Sequence, residues 1–328
     1  MLHYTTKTDR DRFIPGVSGS SVFNSRNELV GVAVIISLFC LYQQSIISET
    51  VNESPETNYK ISITHWITTG NFKMYGGPPT AFNTWKLAHP LDSNLTRVLF
   101  TYTPPEDDSP YRVHISLGGG YIKEGTIRDT DWDANGVIQY LSYSASKGDV
   151  TNSSISVDYM VTEPKNDYEA YVTFGYNYLK ISANYRDGLT TIYNYAPVSI
   201  QSQMKWQIYD LVYQGIETGV KVKYNILSDL SVETSAGFSP FVRAQYRGIR
   251  YPNTIYKQRE HILAKGNAFN GEVSVNYDVY KQFTVEGGYR YQTYRTKGTD
   301  QPGTPWAGSW DELTSDFKGF FFGGGWKF

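Results

Sequence analysis

Residues 271–279 read GEVSVNYDV and residues 283–292 read FTVEGGYRYQ. In the first run Val273, Val275, Tyr277 and Val279 alternate with Glu272, Ser274, Asn276 and Asp278. In the second, Phe283, Val285, Gly287, Tyr289 and Tyr291 alternate with Thr284, Glu286, Gly288, Arg290 and Gln292. Successive side chains of a strand point to opposite faces, so each run has one apolar and one polar face. With only Tyr280 to Gln282 between them, the two runs predict an antiparallel hairpin.

The same pattern repeats outward from this hairpin. Ile216, Thr218, Val220, Val222 and Tyr224 pass through a turn at Asn225 to Asp229 into Leu230, Val232, Thr234, Ala236 and Phe238. Val98, Phe100 and Tyr102 pass through a Pro-rich turn at Pro104 to Pro110 into Tyr111, Val113, Ile115 and Leu117. Several of these strands alternate for longer than the roughly 5 to 6 residues usual in a soluble sandwich, and long enough to cross a bilayer at a tilt. One face is Val, Ile, Leu, Phe and Tyr, and the other carries Lys221, Lys223, Glu233, Glu286 and Arg290. Such charges suit a polar lumen and are costly in lipid. The last residues, Phe317 to Phe328, read FKGFFFGGGWKF and end on an aromatic residue. This resembles the carboxyl-terminal strand that outer-membrane assembly machinery reads. The expected fold is an all-β, antiparallel transmembrane β-barrel of about ten strands with long extracellular loops.

Composition narrows the classes. The 328 residues carry 30 Lys+Arg against 32 Asp+Glu, a net charge of −2, which gives no diffuse field for nucleic acid. Cys40 is the single cysteine, so neither a disulfide framework nor a Cys-rich metal site is possible. An aromatic content of 16% is ample for a folded interior. The long apolar run Leu29 to Tyr42 falls short of the about 20 residues of a helical span and has the size of a signal-peptide core. Residues 1–48 therefore read as a leader and 49–328 as the barrel, placing the protein in a bacterial outer membrane. Within the leader, residues 15–32 (PGVSGSSVFNSRNELVGV) resemble the nucleophile segment of chymotrypsin-like serine peptidases. The fragment has no room for the barrels that would bring a His and an Asp to Ser18.

Chemistry concentrates at Arg128 to Asp133, RDTDWD, after the strand that starts at Tyr111. Asp129, Asp131 and Asp133 share a face of an extended chain, where crowding raises the proton affinity of at least one carboxyl. A long strand delivering D-x-D-W to a barrel rim resembles the omptin family of outer-membrane proteases. The likeness runs in order through Trp85-Lys86-Leu87, Ser93-Asn94-Leu95 and Asp129-Thr130-Asp131-Trp132. It continues through the Val150 to Val161 strand and the hairpins Gly215 to Val242 and Ala268 to Gly298, covering most of residues 59–328. The resemblance implies that Asp129 and Asp131 hold a water against an Asp-x-His pair on the opposite wall. At that place this chain has Gly248 and Arg250, and Arg does not serve as a neutral base. His261 is the nearby candidate to replace the base, and its neighbour Glu260 would then point the other way.

Around the unmatched pair stand Arg243, Arg247, Arg250, Lys257 and Arg259, interleaved with Tyr246, Tyr251 and Tyr256. Clustered cations favour anionic partners such as lipopolysaccharide phosphates or sulfated glycans, and the resemblance itself implies lipopolysaccharide contact. The candidate ligand-binding set is Arg243, Arg247, Arg250, Arg259 and Tyr251. His65, His89 and His114 form no motif, and His114 shares a face with Arg112 and Ser116, which gives it a structural place in the lumen. No Walker loop, Rossmann fingerprint or metal-spaced His pair occurs, so no cofactor is expected. The expected function is a surface adhesin or ligand-binding barrel with a degenerate protease site. The alternative is an endopeptidase using Asp129, Asp131 and His261. Expected partners are outer-membrane lipid, the assembly machinery through Phe328, and a peptide or glycan ligand.

Overall fold

The computed structural model describes residues 59–77, 84–104, 110–133, 135–162, 168–193, 196–198, 206–250, 258–280, 282–302 and 310–328. All belong to the unit Thr50–Phe328. The leader, including residues 15–32, lies outside the described residues. In chain order the strands are β1 (Tyr59–Gly77), β2 (Thr84–Pro90), β3 (Ser93–Tyr102), β4 (Tyr111–Trp132), β5 (Ile138–Met160) and β6 (Tyr168–Tyr193). They continue as β7 (Ala196–Val198), β8 (Trp206–Asn225), β9 (Leu230–Arg250), β10 (Gln258–Tyr280), β11 (Phe283–Asp300) and β12 (Trp310–Lys327).

Every pairing is antiparallel, and β12 pairs β1 along the length of both, from Lys60↔Lys327 to Gly77↔Trp310. That pairing closes the sheet into a ring. Both β2 and β3 lie between β1 and β4 at different heights, so together they form one broken stave. Leaving out the short β7, which pairs only with β6, ten staves make the barrel wall. The three hairpins expected from alternation are present as β3–β4, β8–β9 and β10–β11.

β8 shows how the wall is built. In its second half Ile216, Val220, Val222 and Tyr224 are exposed on the outer face, while Lys221 and Lys223 line a cavity inside. In its first half the polarity reverses without a change of phase: Tyr209, Leu211 and Tyr213 are buried inside, and Asp210, Val212 and Gln214 alternate with them. The other staves repeat this. Exposed Ile63, Ile67, Ile115, Leu117, Ile155, Val157, Val172, Phe174, Val273, Val275, Val285, Phe320 and Phe322 form an apolar band. Tyr59, Tyr111, Tyr159, Tyr224, Tyr277 and Trp326 edge the band on the side of Tyr59 and Phe328, with Tyr121, Tyr176, Phe241 and Phe269 at its other edge. Aromatic girdles of this kind mark the two lipid–water interfaces. A stave needs only about 9 to 11 residues to cross lipid, so strands of 18 to 26 residues carry about half their length above it.

Inside, the part above the lipid is filled by one apolar cluster that includes Phe72, Met74, Leu87, Leu91, Ile127, Tyr209, Tyr213, Tyr246, Ile262, Tyr294, Leu313 and Phe317. Tyr213 stacks on Tyr294 with centroids 4.5 Å apart, and Tyr209 on Tyr246 at 5.5 Å. Below it the lumen is polar. Glu272 meets Arg290 at 2.5 Å and Arg97 at 3.9 Å, and Glu169 meets Arg112 and Lys223, each at 3.2 Å. These pairings spare the lumenal charges the cost of burial without partners.

The reversal makes a prediction. Val220→Lys, in the lipid band, costs about 2–4 kcal/mol, whereas Val212→Lys on the same face above the lipid costs about 0–1 kcal/mol. Equilibrium denaturant unfolding in lipid vesicles measures both.

Candidate functional site at the barrel mouth

Arg128 to Trp132 of the RDTDWD segment belong to β4 itself rather than to a loop beyond it, and Asp133 follows the strand. A bulge between Ile122 and Gly125 in the β4–β5 register inserts residues on one strand only. Such an insertion switches which side chains face inward. Up to Ile122 the even-numbered residues face the lumen, and beyond the bulge the odd-numbered ones do, which brings Ile127 into the core. Asp129 then lies opposite Leu87 and Asp131 opposite Trp85, on the lumenal face near the open end.

The opposite wall does not present His261. On β10 Glu260, Ile262 and Ala264 are buried inward, so His261 lies on the outer face. There its Nε2 is 2.8 Å from the side-chain amide of Gln245. With that amide oriented to satisfy its neighbours, the oxygen accepts from His261 and from Arg247 at 2.9 and 3.1 Å. Glu260 is the β10 residue that faces the lumen. It is the register partner of Gly248, and a Cβ on Gly248 would come within 3.0 Å of both the Glu260 carboxylate and the Tyr246 ring. Glycine at position 248 thus makes room for these two side chains.

Two residues outside the expected set complete the mouth. Asp311 of β12 is 1% exposed and neither of its carboxylate oxygens has a hydrogen-bond partner. It shares the space over Gly76 with the Trp85 ring, since a Cβ there would overlap both Asp311 Oδ1 and Trp85 Cζ2. Burial, with Asp300 and Glu260 as negative neighbours, pushes Asp311 up to about 8. His89 of β2 sits two residues below Leu87, fully buried. It hydrogen-bonds the Tyr209 hydroxyl through Nδ1. Burial pulls it down to about 3, so it is a neutral member of the core. Short-range alternation gave no warning of either residue, because both roles arise from neighbours distant in sequence.

The mouth therefore carries carboxyls on several staves above an aromatic floor, and the described histidines are spent elsewhere. His65 lies near Thr96 at 3.4 Å, and His114 lies in the lower lumen. Three of the candidate ligand-binding residues fall on the outer wall. Arg243, Arg247 and Arg259 are exposed there, on β9 and β10. The Arg250 side chain and Tyr251 lie outside the described residues. Sequence spacing missed two members of this surface. Lys265 is the direct register partner of both Arg243 and Lys297, which sets three exposed cations side by side across β9, β10 and β11. Only Lys297 of the three has a described ion pair, to Glu312 at 3.3 Å.

The state of Asp311 gives a pH prediction. Its folded pKa is raised from the ordinary 3.8 to about 8, so the folded barrel binds the proton more tightly than the unfolded chain. Stability falls as pH rises from about 4 to 8. Asp311→Asn flattens that slope and leaves the variant more stable than the parent at pH 8, as read from unfolding midpoints across pH.

No family model matches the chain, and no curated protein matches it. Solved structures do. The outer membrane protease OmpT from Escherichia coli superposes with a TM-score of 0.62 at 15% identity, over 85% of this chain and 99% of that one. A major outer membrane protein from Thermus thermophilus gives 0.36 at 13% identity, covering 80% and 99%. The translocator domain of the autotransporter NalP from Neisseria meningitidis gives 0.35 at 9%, covering 91% and 98%. Ring closure, the apolar band and the likeness to OmpT together give the chain an outer-membrane-type β-barrel fold, the fold of OmpT.

Proposed function

We propose that the chain is a surface ligand-binding barrel of the adhesin type. Its outer wall above the lipid holds anionic groups, the phosphates of lipopolysaccharide or the sulfates of glycans. The observation that carries this reading is the row Arg243, Lys265 and Lys297. Like charges directly opposite one another on a sheet repel, so the row is relieved when an anion bridges it. Arg247 and His261 are held beside it by Gln245. Planar guanidinium groups offer bidentate hydrogen bonds to phosphate and sulfate oxygens. Arg259 extends this surface along β10.

The mouth supports the same reading. A hydrolytic site of the expected kind needs a neutral base across from Asp129 and Asp131, and His261 would have to pass through the wall to supply it. The apolar core under the carboxyls also leaves little depth for a peptide. In this reading Phe328, whose amide donates to the Tyr59 carbonyl at 2.8 Å, serves assembly as the end of the closing strand.

The test is binding of heparin and of lipopolysaccharide by the refolded barrel, beside the triple variant Arg243→Glu, Arg247→Glu and Arg259→Glu. A charge-assisted hydrogen bond contributes about 1.5–3 kcal/mol, so the variant binds at least about tenfold more weakly, and salt weakens the parent. Equal binding by both proteins, or peptide cleavage that Asp131→Asn abolishes, would overturn the reading.

A further inference from the structure

The lower lumen holds a connected group of side chains that the outer wall and the mouth do not use. Thr101 of β3 and His114 of β4 are direct register partners, and both line the cavity that reaches the end of the barrel at Tyr59 and Lys327. Thr101 Oγ1 is 3.0 Å from His114 Nδ1, and His114 Nε2 is 2.9 Å from Asp158 Oδ2. Asp158 is 1% exposed and is held from two further sides, by Lys221 at 2.7 Å and by the Thr173 hydroxyl at 2.8 Å.

Elementary hydrogen-bond accounting fixes the direction of this relay. The ion pair with Lys221 keeps Asp158 a carboxylate, which only accepts. His114 Nε2 therefore carries the ring proton, and Nδ1 presents its lone pair to the Thr101 hydroxyl. The order is hydroxyl, imidazole, buried carboxylate, the arrangement that activates an alcohol for acyl transfer, with the two ring nitrogens exchanged relative to the usual serine triad. Lys60, the register partner of Thr101 on its other side, lines the same cavity, with its ε-carbon over Gly325 of β12. The cavity measures about 430 Å³, within the range of small-molecule sites, and its walls are largely polar.

We propose that Thr101, His114 and Asp158 form a hydrolytic triad acting on short-chain carboxylic esters that enter from the periplasmic end. Thr101 Oγ1 attacks the ester carbonyl carbon while its proton passes to His114 Nδ1. Asp158 steadies the imidazolium that forms. The tetrahedral adduct then collapses, the C–O bond to the leaving group breaks, and His114 returns the proton to the departing alcohol. Water, deprotonated in turn by His114, attacks acyl-Thr101, releasing the carboxylic acid and restoring the threonine hydroxyl.

The test uses the refolded full chain in detergent with p-nitrophenyl acetate. The expected result is a burst of p-nitrophenolate stoichiometric with protein, an acetyl group on Thr101 by tandem mass spectrometry, and a rate that rises with pH along one ionisation to a plateau. Thr101→Val, which removes the hydroxyl at nearly constant volume, abolishes burst and adduct. Thr101→Ser keeps both, and His114→Gln slows acylation by about 100- to 10,000-fold. Circular dichroism confirms that each variant is folded, and should Thr101→Val misfold, the Thr101→Ser adduct decides alone. Acetylation confined to lysines, or a burst unchanged in Thr101→Val, would overturn the proposal and leave the relay as a structural tie between staves.

Discussion

The pairing of β12 with β1 is the constraint on which the rest of the molecule depends. A strand edge in lipid has no water to satisfy its N–H and C=O groups, and each unsatisfied group costs several kcal/mol. The ladder from Lys60↔Lys327 to Gly77↔Trp310 removes both edges at once. It is finished at its foot by two bonds, Tyr59 N–H to the Phe328 carbonyl and Phe328 N–H to the Tyr59 carbonyl. Glycine makes part of this contact possible: a Cβ on Gly319 would overlap the Ile67 carbonyl oxygen across the seam. Once the ring is closed, alternation, reset where a strand bulges, assigns side chains to lipid, lumen or solvent.

What each face must then be depends on height. Beside the lipid, the outer face is apolar and the lumen can hold Lys221, Glu272 and Arg290. Above it, the outer face meets water, and burial favours an apolar interior as in a soluble protein. The barrel consequently turns inside out along its axis, which has two effects on chemistry. It seals the upper lumen beneath the acidic mouth with Phe72, Tyr209, Tyr213 and Tyr246. It also leaves a roomy, charged chamber below, reached from the opposite end. The outer wall above the lipid becomes the natural place to display cations, and Arg243, Lys265 and Lys297 occupy it.

Much of this was legible in the amino-acid sequence. Period-two alternation in residues 271–292 fixes a hairpin and its lipid face, and the charges on the other face, Glu286 and Arg290, do line the lumen. The reversal of polarity was not legible, because Tyr209, Leu211 and Tyr213 look like any other apolar alternation until the lipid boundary is known. The mouth was legible only in part. RDTDWD announced its carboxylates, yet their direction depends on the bulge after Ile122, which no residue pattern declares. At Glu260 and His261 the strand rule required the two to point apart. Which of them faces the lumen is a one-residue register choice, and such a choice is set by pairing with β9 rather than by local sequence. Asp311 and Lys265 gain their surroundings from neighbouring staves, and no local motif marks them.

The face assignment of β10 underlies the sealed interior, the carboxyls of the mouth and the cationic outer wall alike. Single cysteines placed from Glu260 to Lys265 in a Cys40→Ser background, exposed on whole cells to a membrane-impermeant maleimide, read it directly. The account predicts strong labelling at positions 261, 263 and 265 and protection at 260, 262 and 264. The inverse pattern, or labelling without alternation, would contradict it.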